Sequence, residues 1–230
     1  MRSRFARLFL LALIAVGAVV VDRHASAVPA VQPGVQITMG NSLCTLNWIY
    51  DGPGGPYAGT AAHCVSGVGQ RITLTDGNVA FGTVSLFRED LDYALITIDA
   101  EDVSLINPAL KGHPSIPQGV STVDTAAVGD TMQFSGYGTG FGFSNITQEQ
   151  RQGILGFNDG TQHYIYGAVS PGDSGGPVAD VTDGGKAFGI VNTLGLALTP
   201  LPQAGEGGLS LDALLADAAA QGVPISVRTV

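Results

Sequence analysis

Ser170-Pro171-Gly172-Asp173-Ser174-Gly175-Gly176-Pro177 sets one serine inside a short run of glycine and proline. A serine hydroxyl is a poor nucleophile until a neighbouring base takes its proton. The oxyanion formed on attack needs fixed donors, usually main-chain N–H groups. Aiming two of these at one point requires a tight turn, which glycine permits. Gly172 and Ser174 are the candidate donors, and Gly175 and Gly176 let the next strand pass close behind. Read alone, the stretch could equally be an ordinary Gly/Ser turn, so its partners elsewhere in the chain decide.

The first partner is a base. Of the four histidines, His24 lies in the amino-terminal leader discussed below. His113 sits in a Pro/Gly-rich connection and reads as a solvated loop residue. His163 follows a Gly-Thr-Gln turn and reads as facing solvent or a pocket wall. His63, in Thr60-Ala61-Ala62-His63-Cys64, is directly followed by a cysteine that could hold its backbone in place. The second partner is a carboxylate, which fixes the imidazole tautomer and stabilises its cation. Asp92 opens the apolar run Tyr93-Ala94-Leu95-Ile96-Thr97-Ile98, so the strand could carry its carboxylate inward. Glu89 and Asp90 read as a solvated turn, and Asp90 is the weaker alternative to Asp92.

Composition narrows the fold. The chain has 230 residues, 45% hydrophobic and 13% charged, with 33 glycines and 12 prolines. Disordered tails need low hydrophobicity and high charge, and helical bundles tolerate little glycine. One loop-rich, mostly β unit remains. Its net charge of −9 argues against a nucleic-acid partner. Residues 1–27 read as an export signal. Arg2, Arg4 and Arg7 precede the apolar run Leu8 to Val21, and Ala25-Ser26-Ala27 is a cleavage site, with a second option after Ala30. The apolar run is shorter than the ~20 residues a bilayer-spanning helix needs. An exported chain with two cysteines points to one disulfide, Cys44–Cys64. Neither cysteines nor histidines show metal-ligand spacing, and no cofactor is expected.

Strand-like stretches are short and separated by turn residues. Gln70–Leu74, Tyr93–Ile98, Thr131–Phe134, His163–Tyr166 and Ala187–Val191 read as strands, with turns at Asp76-Gly77-Asn78, Asp159-Gly160 and Asp183-Gly184-Gly185. This spacing fits sandwiches or barrels. Asn107–Val120, with three prolines at Pro108, Pro114 and Pro117, is a connection between two halves. Ser210–Gln221 reads as a helix, with Ser210 as N-cap, an apolar stripe of Leu211, Leu214, Leu215 and Ala218, and a stop at Gly222 and Pro224.

Taken together, Thr60-Ala61-Ala62-His63-Cys64, Asp92-Tyr93-Ala94-Leu95 and Gly172–Pro177 resemble the three signatures of the trypsin/chymotrypsin-like serine peptidases. Their chain order, His then Asp then Ser, is also that family's order. Ser135-Gly136-Tyr137-Gly138 is similar to the family's Gly-aromatic-Gly turn. The short spacing, Pro171 and the carboxyl-terminal helix resemble the bacterial, streptogrisin-like branch. The resemblance implies an all-β fold of two six-stranded antiparallel β-barrels with a C-terminal helix. The expected boundaries are 28–118 for the first barrel and 119–230 for the second barrel plus helix. It implies a secreted, monomeric endopeptidase acting on polypeptides, free of stable membrane association once its signal is removed. His63 would be general base, Asp92 its orienter and Ser174 the nucleophile, with Gly172 and Ser174 as oxyanion hole and Cys44–Cys64 as the family's disulfide beside the histidine.

The chain also departs from that pattern. The family's pocket floor falls on Ala168, its usual serine in the substrate strand is Asn192, and a glycine two places on is Leu194. With no carboxylate at the floor, the expected preference is for small or medium apolar residues before the scissile bond. Asp173 lacks an obvious cationic partner in sequence, and Arg151 and Lys186 are the distant options. An inactive peptidase-fold binding protein and an esterase using the same triad are the alternative functions.

Overall fold

The computed structural model describes residues 29–39, 42–137, 149–167, 169, 171–197 and 203–230. The leader and Ala168 lie outside these residues.

Seven strands form the first lobe: β1 (Gln36–Met39), β2 (Ser42–Thr45), β3 (Ile49–Gly52), β4 (Gly55–Thr60), β5 (Arg71–Leu74), β6 (Val79–Arg88) and β7 (Tyr93–Ile98). The second lobe holds β8 (Thr131–Gly136), β9 (Glu149–Asn158), β10 (Gln162–Gly167), β11 (Pro177–Asp180), β12 (Lys186–Ala197) and β13 (Gln203–Ser210). Helix α1 (Leu211–Ala220) and a short β14 (Ser226–Val227) end the chain. The second lobe is a closed barrel in the order β10-β13-β12-β11-β8-β9, with antiparallel neighbours throughout.

The first sheet runs β14-β3-β4-β7-β6-β5-β1-β2. With the short β14 set aside, its flanks, β3 and β2, are consecutive in the chain and separated only by Leu46, Asn47 and Trp48. Main-chain bonds stitch this bend to both neighbours: Leu46 N–H to Val35 O at 2.9 Å, and Asn47 N–H to Gly59 O at 2.8 Å. Counted as one bent strand, β2 and β3 give the six strands expected of this lobe. The addition is β14, which carries the chain end back to pair with β3.

Alternation along β7 shows why its sequence is so continuously apolar. Ala94, Ile96 and Ile98 enter the first lobe's core with Ile37, Leu46 and Phe81. Tyr93 and Leu95 face the other way, into a cluster with Trp48, Tyr50, Ile190, Leu209, Leu211 and Leu214. That cluster joins the two lobes and α1, so β7 is buried on both faces, with only Thr97 partly exposed. Met132, Phe134, Leu155, Ile165, Val178 and Phe188 fill the second barrel.

Helix α1 follows its predicted stripe: Leu211, Leu214 and Ala218 are buried and Leu215 partly so. Ser210 occupies the N-cap position but makes no capping bond. Its hydroxyl donates instead to Asn158 Oδ1 at 3.3 Å. The strand pairing of β13 with β10 and β12 places Ser210 there.

Candidate active site

His63 sits in a single 3₁₀ turn, Ala62–Cys64, at the end of β4. The Cys44–Cys64 disulfide ties this turn to β2 across a separation of 20 residues. Asp92 stands at the mouth of β7 with φ +53°, in the left-handed region that side chains other than glycine rarely adopt. The two meet closely. His63 Nδ1 lies 2.8 Å from Asp92 Oδ2 and 3.0 Å from Oδ1, and the His63 main-chain N–H donates to Oδ1 at 2.9 Å. The carboxylate thus grips both ring and backbone, and Nε2 is left for a proton acceptor or donor in the cleft.

Electrostatics follow from this grip. The hydrogen bond to Asp92 raises the His63 pKa above the ordinary imidazole value; partial burial pulls the other way, and the Asp92 charge adds to the rise. Burial pushes the Asp92 carboxyl up, but the bonds from the His63 ring and main chain outweigh it and hold the group below its ordinary value.

Asn192, expected in the substrate pocket, spends its amide elsewhere. Its Nδ2 donates to the Asp92 carbonyl at 2.6 Å and its Oδ1 accepts from Leu209 N–H at 3.1 Å. It therefore tethers the second lobe to the residue that orients the histidine. A crevice of about 190 Å³ opens beside it, lined in part by Asp92, Asn192, Thr193 and Gly207. A larger cavity of about 490 Å³, around Val35, Gln36, Leu74 and Lys111, shares no residue with this site.

The serine loop is fixed from the first lobe by Thr45. Its N–H donates to Ser174 O at 2.9 Å and its hydroxyl to Gly172 O at 2.8 Å. Cys64 Sγ lies 3.7 Å from the same Ser174 carbonyl, so the loop rests against the histidine's disulfide. Gly172 and Gly175 take φ +105° and +81°. A Cβ on Gly175 would fall 2.3 Å from Thr60 Oγ1 and 2.6 Å from Ala61 N, in the segment leading to His63. Glycine at this position is what lets the two loops close on each other. Among the described residues no hydrogen bond joins the Ser174 hydroxyl to His63. Such catalytic contacts are often long until substrate binds.

Asp173 is buried and ion-paired with Arg151 of β9, the more useful of the two sequence options. Lys186 pairs with Asp183 at 2.9 Å instead. Gly136 makes room for this arrangement, since a Cβ there would lie 2.3 Å from Asp173 Oδ1. Neither Thr45 nor Arg151 carries a local sequence signal for its role; both act across strand pairings that only the barrels create.

Of the two expectations for His163, solvent or a pocket wall, the second holds: it is buried from solvent and lines the crevice beside Asp92 and Asn192. It is buried in the second barrel, with Nε2 2.9 Å from Glu206 Oε1. Its register partner is Gly208 on β13, where a Cβ would come within 2.6 Å of that nitrogen. The missing side chain opens the space the imidazole fills. His113 is half-buried and not part of the His63 site. Cys44, His63 and Cys64 bring ligand atoms within 4.8 Å of one another, but the disulfide removes both thiolates as ligands. Ala168 and the Leu194 side chain lie outside the described residues.

Comparison with known proteins agrees with this geometry. The trypsin family profile matches residues 57–197. The uncharacterised protein Rv1815 of Mycobacterium tuberculosis is 30% identical over 189 residues, covering 74% of this chain and 77% of that protein. Protease A of Thermobifida fusca has a similar fold, with a TM-score of 0.65 at 19% identity, over 86% of this chain and all of the other. A glutamic-acid-specific serine protease, described as using a histidine triad in substrate binding, superposes with a TM-score of 0.63 at 19% identity and the same coverage. With the family profile spanning both the histidine and serine segments, and the fold to match, this chain belongs to the trypsin family of serine proteases.

Proposed function

We propose that the protein is an exported serine endopeptidase that cleaves polypeptides through His63, Asp92 and Ser174. The observation that carries this is the double hydrogen bond of Asp92 to the ring and main chain of His63, with the Ser174 loop anchored alongside by Thr45. Ser174 Oγ attacks the scissile carbonyl while His63 Nε2 takes its proton. Asp92 stabilises the imidazolium, and the amides of Gly172 and Ser174 hold the oxyanion. His63 then returns the proton to the leaving amine, and a water molecule, deprotonated by the same imidazole, releases the acyl group. The leader at residues 1–27 and the disulfide support export.

For the residue before the scissile bond, the reading is a small or medium apolar side chain. Ala168 and Leu194 support it by their chemistry, and the Asn192 amide is already engaged by the Asp92 carbonyl and the Leu209 N–H. A peptide library dominated by Arg, Lys or Phe at that position refutes this preference. The reaction itself is tested by labelling with a fluorophosphonate probe, with Ser174→Ala as control. Labelling of the parent alone supports the nucleophile; labelling of neither makes the chain a peptidase-fold binder. Turnover of casein supports a peptidase, and turnover of short-chain esters without casein makes it an esterase.

A further inference from the structure

The turn that carries Asp92 is closed by a pair of residues that share one distant carboxylate. Arg88 ends β6 and faces Tyr93, the first residue of β7, in the hairpin register. Both bond Asp217 of α1. Tyr93 Oη donates to Asp217 Oδ2 at 2.7 Å, Arg88 Nε to the same oxygen at 2.8 Å, and Arg88 Nη2 to Oδ1 at 3.1 Å. Arg88 Nη2 also reaches Asp90 Oδ2, inside the turn, at 3.0 Å. The Asp217 side chain is only 16% exposed and the Tyr93 ring is buried. These partners lie more than a hundred positions apart in the chain, so the helix is docked there by tertiary structure alone.

Asp92 itself needs such support. Its left-handed backbone is a conformation that persists only where the surroundings over-determine it. His63 holds its carboxylate and Asn192 its carbonyl, but neither fixes the strand ends between which the turn is strung. Asp217 does, by locking both members of the closing pair. The charged groups around the turn are Arg88, Glu89, Asp90, Asp92 and Asp217, with His63 facing Asp92 across it.

We propose that Asp217 is a positioning residue for the proposed peptidase reaction: by bridging Tyr93 and Arg88 it holds the strained Asp92 turn in register with His63. It touches no substrate and acts only through the turn. The proposal rests on the triad reading above, so its test includes a readout that does not need turnover.

Asp217→Ala, Asp217→Asn and Tyr93→Phe are compared with the parent for kcat, KM and melting temperature. The His63 titration is followed by NMR of labelled imidazole, assigned with His63→Ala. Asp217→Ala is expected to lower kcat about tenfold with KM within about twofold, since small misplacements of catalytic groups cost rate and leave uniform binding intact. The His63 midpoint should drop toward the ordinary imidazole value as the Asp92 contact loosens. Tyr93→Phe keeps the buried ring and should show the same changes in smaller degree, which carries the test if Asp217→Ala does not fold. Asp217→Asn, which keeps an acceptor for Tyr93 Oη, should recover part of the loss. Asp217→Ala combined with Tyr93→Phe should be no worse than Asp217→Ala alone. A lower melting temperature with kcat and the His63 midpoint unchanged overturns the proposal and makes the contact a structural tie. If the parent protein turns nothing over, the peptidase reading fails, and the titration still reports whether Asp217 holds the dyad.

Discussion

Replacing Gly175 by alanine tests how closely the Ser174 loop and the Thr60–His63 segment must approach. The new Cβ adopts φ +81°, a region that costs an L-residue ~1–2 kcal/mol. It also lands 2.3 Å from Thr60 Oγ1, 2.6 Å from Ala61 N and 2.7 Å from Thr45 O. Two of these neighbours are backbone atoms, which cannot swing aside as a flexible side-chain end can. Overpacking of this kind costs ~1–3 kcal/mol, so the sum is roughly 2–5 kcal/mol of stability. That is a large share of the ~5–15 kcal/mol available to a domain, yet it leaves many molecules folded. In those molecules Ser174 must move relative to the Thr60–His63 segment. A displacement near 1 Å between reacting groups costs about 10²-fold in rate. Urea unfolding gives the first quantity, and kcat/KM on a peptide substrate gives the second. A variant within ~0.5 kcal/mol of the parent, as for an ordinary surface change, and with kcat/KM within threefold, would falsify the argument that glycine is required here.

The other predictions concern charge. Asp92→Asn should keep the fold but lower kcat by about 10⁴-fold, because an amide favours the wrong imidazole tautomer; steady-state kinetics check this, and a loss under tenfold contradicts the assigned role. In the pH profile of kcat/KM, the acid limb should lie above the ordinary imidazole value of about 6.5, since His63 must be neutral to act and its hydrogen bond to Asp92 raises its pKa. The same shift stabilises the fold below the unfolded imidazole pKa, and that contribution is lost as pH rises through the folded value. Asp92, held low, contributes above its unfolded pKa and loses that contribution as pH falls through its folded one, so unfolding free energies measured across pH 3–8 should show both slopes. Arg151→Gln removes the cation paired with buried Asp173 and should cost ~3–5 kcal/mol. Adding Asp173→Asn should recover part of that loss in denaturant unfolding, and strict additivity of the two changes argues against their coupling.

Much of the site was legible because its chemistry is local. The glycines around Ser174 are there for backbone reasons that a short stretch of sequence expresses, and Cys64 marks His63 by direct adjacency. Strand β7 announces its burial through an apolar run broken only by Thr97. Strands β1, β2, β4 and β13 carry weaker signals, being rich in glycine or mixed in polarity. Their places come from pairing. His163 shows the limit most clearly: a polar residue after a turn reads as facing solvent or a pocket wall, and only the barrel's closure around Gly208 and Glu206 decides for the wall and makes a buried seat for it.

Residue types and their order along the chain were enough to specify the disulfide, the carboxyl-terminal helix and the all-β character, and to single out His63, Asp92 and Ser174 for the proposed triad. What only the tertiary structure decided is which groups hold these in place: Thr45 on the serine loop, Arg151 on Asp173, Asn192 and Asp217 around Asp92. The division has a physical cause. Backbone conformation and burial are dictated by near neighbours in sequence and leave a pattern there. A hydrogen bond between side chains a hundred residues apart leaves none until two barrels and a helix have packed.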